Sequence, residues 1–269
     1  MPHRIIFSDI DGTLLNHNRE LSQFTISEIK RIKNTTPVVL ISSRMPDAMI
    51  HLQQQLGIEN EPLICYNGGL VLFQNKTIHS TTIPINCIEK LYEFNKEQKF
   101  HISLYNYNDW YVETMDYWAN REANNTKVKP TVKPLIEVIQ QWKQSNKGAH
   151  KIMCMGEESY IDEAFSFLTT HFGDILHLYR SKPTYIEIAH KDISKQTAIE
   201  LLVSPSYLDI PMSDCLAFGD NYNDMDMLKA VGTGVAVANA KPEVLAIANT
   251  ITTAGKEDGV AKYIKENIQ

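Results

Sequence analysis

The run Pro37-Val38-Val39-Leu40-Ile41-Ser42 constrains the fold more than any other stretch. It is apolar at consecutive positions and mostly branched, without the polar alternation of a half-solvated strand. Such a run fits a parallel sheet covered on both faces. Arg4 to Ser8, Leu63 to Tyr66, Asp214 to Phe218 and Gly234 to Val237 read as strands as well, with Thr250 to Thr252 a last one. Helical patterns lie between them. Thr25 to Asn34 places Ile26, Ile29 and Ile32 at helical spacing, with Thr25 and Glu28 spaced as a capping box. Pro46 suits the first turn of a helix ending near Gly57. Lys195 to Val203, Asp224 to Val231, Lys241 to Ala248 and Gly259 to Asn267 are further helices. Val71 to Phe73 and Thr77 to Ile83 read as a hairpin around Gln74-Asn75-Lys76. The alternation predicts an α/β, doubly wound, mainly parallel sheet, a Rossmann-like core.

The rhythm breaks near Pro84 and resumes near His190. In between, the sequence predicts helices over Asn86 to Lys99, around Trp142 and over Tyr160 to His171. It predicts a hairpin of His101 to Tyr107 with Trp110 to Thr114, and strands at Lys151 to Met155, Leu176 to Arg180 and Tyr185 to Ala189. This is an inserted α+β domain at 84–189, with the core made of 1–83 and 190–269; 269 residues allow two domains. Its aromatic residues, Phe100, Tyr105, Tyr107, Trp110, Tyr111, Tyr117 and Trp118, read mainly as a small core.

A net charge of −6 argues against a nucleic-acid partner. No apolar stretch reaches the roughly 18–20 residues of a membrane span, so no membrane partner is expected. Cys65, Cys87, Cys154 and Cys215 form no CxxC pair and read as core residues of a cytoplasmic protein.

Chemistry gathers at two predicted strand ends. Ile5 to Leu15 reads IIFSDIDGTLL, so an apolar run ends in Asp9 and Asp11, followed by Gly12 and Thr13. Two carboxylates held together raise each other's pKa unless a cation lies between them. Gly12 lets the backbone turn sharply and bring N–H groups to an anion. The second is Ala217 to Leu228, AFGDNYNDMDML, in which Gly219 and Asp220 are followed by Asn223, Asp224 and Asp226. Ligands of open α/β sheets gather outside the carboxyl ends of the strands, and hard carboxylate oxygens suit Mg²⁺ with a phosphate as co-ligand. The plainer alternative is an Asp-Gly turn and an acidic loop capped by Asn221 or Asn223.

The two motifs, Asp9-Ile10-Asp11-Gly12-Thr13 and Gly219-Asp220-Asn221-Tyr222-Asn223-Asp224, resemble the first and last motifs of the haloacid dehalogenase superfamily. The insertion after the third strand is similar to the large α+β cap of its Cof-type sugar-phosphatase branch. So are Gly234-Val235-Ala236-Val237-Ala238-Asn239-Ala240 and Asp258-Gly259-Val260 in the tail. The resemblance implies a Mg²⁺-dependent phosphatase acting on a small phosphorylated metabolite, a sugar phosphate, through an aspartyl-phosphate. It implies Asp9 as nucleophile and Asp11 as general acid and base. Mg²⁺ would be held by Asp9, the Asp11 carbonyl and Asp220, with Asp224 close by. Gly12, Ser42, Lys195 and Asn223 would bind phosphate, with Lys191 the alternative to Lys195. Asn67 and Gly68 resemble the branch's loop at the substrate entrance. Arg44 either faces the mouth of the site or is a surface arginine before a helix. Two departures stand out: Ser42-Ser43-Arg44 replaces the usual Thr-Gly-Arg, and Gln196 follows Lys195 where glycine is usual. Within the inserted domain Tyr105, Trp110, Tyr179 and Arg180 are candidates for a substrate-facing side. A phosphomutase built from the same parts and a non-catalytic phospho-ligand-binding protein are the alternative functions.

Overall fold

The buried apolar runs of the first and last thirds of the chain assemble into one sheet of eight strands. The structure, a computed structural model, describes residues 3–74 and 76–269. In chain order its elements are β1 (Ile5–Ser8), α1 (Gln23–Ile32), β2 (Val38–Ile41), α2 (Asp47–Leu56), β3 (Leu63–Cys65), β4 (Leu70–Phe73) and β5 (Lys76–Ser80). Then come α3 (Ile85–Gln98), β6 (His101–Asn106), β7 (Asp109–Val112), α4 (Tyr117–Thr126), β8 (Thr131–Val132), α5 (Leu135–Gln144), β9 (Lys151–Met155), α6 (Glu158–Phe172), β10 (Leu176–Lys182) and β11 (Tyr185–His190). The last are α7 (Lys195–Val203), β12 (Cys215–Gly219), α8 (Met225–Ala230), β13 (Thr233–Val237), α9 (Pro242–Ile247), β14 (Thr250–Thr252) and α10 (Gly259–Asn267).

The chain divides into two compact units, one of Met1–Arg44, Met49–Ile78 and Ser194–Gln269, the other of Met45–Ala48 and His79–Ile193. The sheet of the first runs β14-β13-β12-β1-β2-β3-β4-β5. All its pairs from β14 to β3 are parallel, and β4 runs antiparallel to β3. Every residue of β1, β2, β3 and β12 is buried, as burial on both faces requires. The α/β fold class predicted from sequence is therefore observed. The chain leaves β1 toward β2 on one side and returns to β12 on the other, so the order reverses between β1 and β12. Such a reversal opens a crevice at the carboxyl ends of the strands. Register brings those ends level, with Ser8 opposite both Leu40 and Phe218.

The second unit has a six-stranded sheet, β10-β11-β9-β6-β7-β8, and its own core around Ile102, Leu104, Val138, Trp142, Ile152, Leu168 and Ile186. Its strands are antiparallel apart from the β7–β8 pair. Phe100, Tyr105 and Trp110 are buried, as expected of the aromatic set, but Tyr117 is 70% exposed. Trp110 stacks on Tyr105 at 5.4 Å and donates to Ser103 Oγ. Arg180 pairs with Asp162 and donates to the Pro183 carbonyl.

Local differences from the sequence reading have local causes. Helix α1 begins at Gln23, two residues early, because Ser22 rather than Thr25 caps it; Ser22 Oγ accepts the Thr25 N–H, and Thr25 is buried. Helix α4 and the short strand β8 were not anticipated. The tripeptide expected to turn the first hairpin, Gln74-Asn75-Lys76, contains Asn75, which lies outside the described residues. All four cysteines are unpaired and buried. Among the described residues no helix is long and apolar enough to cross a membrane.

Candidate active site

The loops after β1 and β12 and the start of α7 converge on three carboxylates and a lysine. Asp9 directly follows β1, and its N–H donates to the Phe218 carbonyl of β12 at 3.1 Å. Asp220 follows β12. Asp224 ends a single 3-10 turn, Tyr222–Asp224, capped by Asn221. One carboxylate oxygen from each of Asp9, Asp220 and Asp224 lies within 4.8 Å of the others. Lys195 opens α7 behind the cap of Ser194, and its ammonium donates to Asp9 Oδ1 at 2.5 Å and to Asp224 Oδ1 at 2.6 Å. Lys195 is 1% exposed, Asp224 0% and Asp9 6%.

This grouping sets the protonation of the site. Burial and the neighbouring Asp224 and Asp220 carboxylates push Asp9 well above the usual carboxylate range, against the pull of Lys195. Asp220 is pushed up to about 6, by burial first and by Asp224 next. Burial alone would lower the Lys195 pKa, but Asp224 and Asp9 outweigh it and raise it, so the lysine stays charged. One ammonium thus faces three acids. A divalent cation among them would offset both the burial and the repulsion that hold Asp9 and Asp220 high, and an all-oxygen donor set of this kind suits Mg²⁺. Asp224 is committed further than the other two: its Oδ2 accepts the N–H groups of Asp220 and Asn221 at 2.9 and 3.0 Å. It staples the loop on which Asp220 stands. Thr13, not singled out from sequence, donates to Asp220 Oδ1 at 3.0 Å and ties the first loop to the last.

Asp11 does not point into this cluster. Arg44 grips its two oxygens, Nε to Oδ2 at 2.6 Å and Nη2 to Oδ1 at 2.7 Å. The arginine is 6% exposed, whereas the Asp11 side chain is 43% exposed. Arg44 is therefore neither a surface residue nor idle. Ser42 is buried, and its Oγ accepts the Arg44 N–H at 3.3 Å, a turn in which Ser43 stands between them.

The loop after β3 completes the rim. Tyr66, Asn67 and Gly68 have consecutive positive φ angles of 54°, 55° and 104°. Two non-glycine residues in the left-handed region, one of them a fully buried tyrosine, mark a strained loop held by its surroundings. The holders are visible: Tyr66 N–H donates to the Arg44 carbonyl at 3.1 Å and Asn67 N–H to the Ser42 carbonyl at 2.9 Å. The Asn67 side-chain oxygen accepts from Asn223 Nδ2 at 3.0 Å. A Cβ on Gly68 would run into the Ser194 carbonyl, so this loop packs tightly on the cap of the lysine's helix. The structure thus brings Asp9, Asp11, Gly12, Ser42, Arg44, Asn67, Gly68, Lys195, Asp220, Asn223 and Asp224 to one end of one sheet. Lys191 is elsewhere, with its ammonium on the Gly173 carbonyl.

The site is thus a group of carboxylates at the ends of two adjacent parallel strands, backed by a buried lysine. A family model described as haloacid dehalogenase-like hydrolase matches residues 6–264, and the chain belongs to that family. A Haemophilus influenzae protein of provisional phosphatase assignment is 33% identical over 99% of this chain and 98% of its own. A Bacillus subtilis protein named 5-amino-6-(5-phospho-D-ribitylamino)uracil phosphatase is 27% identical, over 97% and 96%. The crystal structure of a haloacid dehalogenase-like hydrolase from Bacteroides thetaiotaomicron superposes with a TM-score of 0.88 at 25% identity, covering 98% of this chain and 99% of that one. A Thermotoga maritima structure gives 0.88 at 26%, covering 99% and 98%.

Proposed function

We propose that the protein is a Mg²⁺-dependent phosphatase that hydrolyses a small phosphorylated metabolite, a sugar or polyol phosphate, through a phosphoryl-aspartate. The observation that carries this reading is the convergence of Asp9, Asp220 and Asp224 on Lys195 at the strand-order reversal. Family membership and the phosphoribityl substrate named for the Bacillus subtilis relative support it.

In this reading an Asp9 oxygen attacks phosphorus, and the bond from phosphorus to the ester oxygen breaks. Asp11 gives its proton to the departing alkoxide, which is a poor leaving group without one. Water then attacks the phosphoryl-aspartate, loses a proton to Asp11, and releases inorganic phosphate while Asp9 is restored. Ser42, Asn223 and the loop at Gly12 hold phosphoryl oxygens, and Lys195 neutralises part of their charge. Asp9, Asp220 and the Asp11 carbonyl, with Asp224 beside them, would hold Mg²⁺, whose charge shields the attacking carboxylate from the phosphate it approaches. Ser43, Arg44, Asn67 and Gly68 stand on the substrate side, and the unit built from His79–Ile193 serves as the cap.

The test is phosphate release from a panel of phosphorylated metabolites with Mg²⁺ or with a chelator. Release with Mg²⁺ and its loss with chelator are expected, and Asp9→Asn should retain less than about one-thousandth of the turnover. No release from any ester, or substantial turnover by Asp9→Asn, overturns the reading. Transfer to a sugar in place of water would mark a mutase.

A further inference from the structure

The tail segment around Asn239 has no role in the chemistry above, yet it reaches the loop that carries Asp11. Asn239 lies just beyond β13, and its exposed side chain spans two segments. Its Nδ2 donates to the Gly12 carbonyl at 2.9 Å, and its Oδ1 accepts the Gly255 N–H at 2.8 Å. Gly255 is itself pressed on the same loop: a Cβ there would stand 2.5 Å from both the Gly12 and the Thr13 carbonyl oxygens. Two residues further on, the Lys241 N–H donates to the Asp220 carbonyl at 2.9 Å. One short segment therefore fastens both loops of the site by their backbones.

We propose that Asn239 is a positioning residue that fixes the Asp11-Gly12-Thr13 loop from outside the site. Both its polar atoms are occupied by protein, so it acts on the loop and not on the substrate. Holding the Gly12 carbonyl fixes the plane of the Gly12–Thr13 peptide. That peptide lies between Asp11 and the Thr13 hydroxyl that donates to Asp220. Losing the clasp leaves the carboxylates in place but lets the loop sample other arrangements. The kinetic part of this inference rests on the functional reading above; the structural part does not.

The experiment uses Asn239→Ala and Asn239→Asp, both at an exposed side chain. The aspartate keeps an acceptor for Gly255 and loses the donor to Gly12. Deuterium exchange of the metal-free protein should speed up over residues 10–15 in both variants and stay unchanged over β2. With Mg²⁺ and a phosphate ester, kcat should fall about ten- to a hundredfold, the range for residues that orient ligands from behind, with KM nearly unchanged. Unchanged exchange over 10–15 in Asn239→Ala overturns the proposal, as does an Asn239→Asp variant that matches the wild type. Faster exchange throughout the core also overturns it, since it marks a merely structural residue. A wild-type protein without turnover removes the functional reading, and exchange then decides the clasp alone.

Discussion

Lys195 and Asp9 touch, and their losses should move stability in opposite directions. Removing Lys195 takes the one cation from two buried carboxylates and costs about 3–5 kcal/mol, whereas removing Asp9 leaves the lysine paired with Asp224. Lys195→Met leaves Asp9 and Asp224 facing each other, so its unfolding free energy from urea titration should fall by a matching amount. Asp9→Asn removes a carboxylate already held high by burial, and the metal-free variant should be at least as stable as the wild type. Equal losses in the two variants would contradict the charge balance described here. The two aspartate motifs and Lys195 were legible because each pairs a distinctive residue type with a strand end or helix start. The pairing of Asp11 with Arg44 and of Asn67 with Asn223 was not. Both join loops far apart in sequence, and the choice of partner depends on how those loops bend.

At the level of elements, strands buried on both faces announce themselves, whereas α4 does not. Its sequence, YWANREANNT, buries only Ala119 and Thr126, so no apolar period marks it; the Asp116 side chain starts it by accepting the Ala119 N–H. The loop after β3 is only half legible: Asn67-Gly68 favours left-handed backbone, but nothing marks Tyr66 for it. Gly68→Ala should cost about 2 kcal/mol or more, because the added methyl meets both an unfavourable φ and the Ser194 carbonyl. Thermal unfolding of that variant measures it, and an unchanged midpoint would mean the loop yields freely.

His150 contributes a large part of the pH dependence of the second unit, beside His79 and His101, whose pKa values burial also lowers. Its Nδ1 accepts the Tyr107 N–H at 3.2 Å, which leaves Nε2 to donate to Ser80 Oγ at 3.0 Å. The ring is thus neutral, and burial, with His79 adding to it, holds its pKa down to about 4. A depressed histidine pKa means the unfolded chain takes up protons first. The contribution is complete above pH 6.5 and is lost as pH falls through 4, amounting to about 3 kcal/mol. All three tryptophans, Trp110, Trp118 and Trp142, lie in this unit, so their fluorescence follows its unfolding. The midpoint in urea should drop between pH 7 and pH 4.5, and His150→Gln should flatten that slope.

For the whole molecule, the sequence changes rhythm near Pro84 and His190, whereas the compact units divide at 78/79 and 193/194 with Met45–Ala48 also in the second unit. The sheet type on either side was readable, because unbroken apolar strands and aromatic hairpins differ in composition. Which side chains of the second unit would face a ligand was not readable, since pattern says which face of a strand is apolar and nothing about what a polar face will meet. The four buried cysteines offer a way to watch each unit separately. Cys65 and Cys215 belong to one and Cys87 and Cys154 to the other, and burial pushes every one of these thiols above its ordinary pKa. None should react with an alkylating reagent until its own unit opens. Mass-resolved labelling at each position should therefore record two separate opening rates within one polypeptide, and equal rates at all four would show that the protein breathes as a single body.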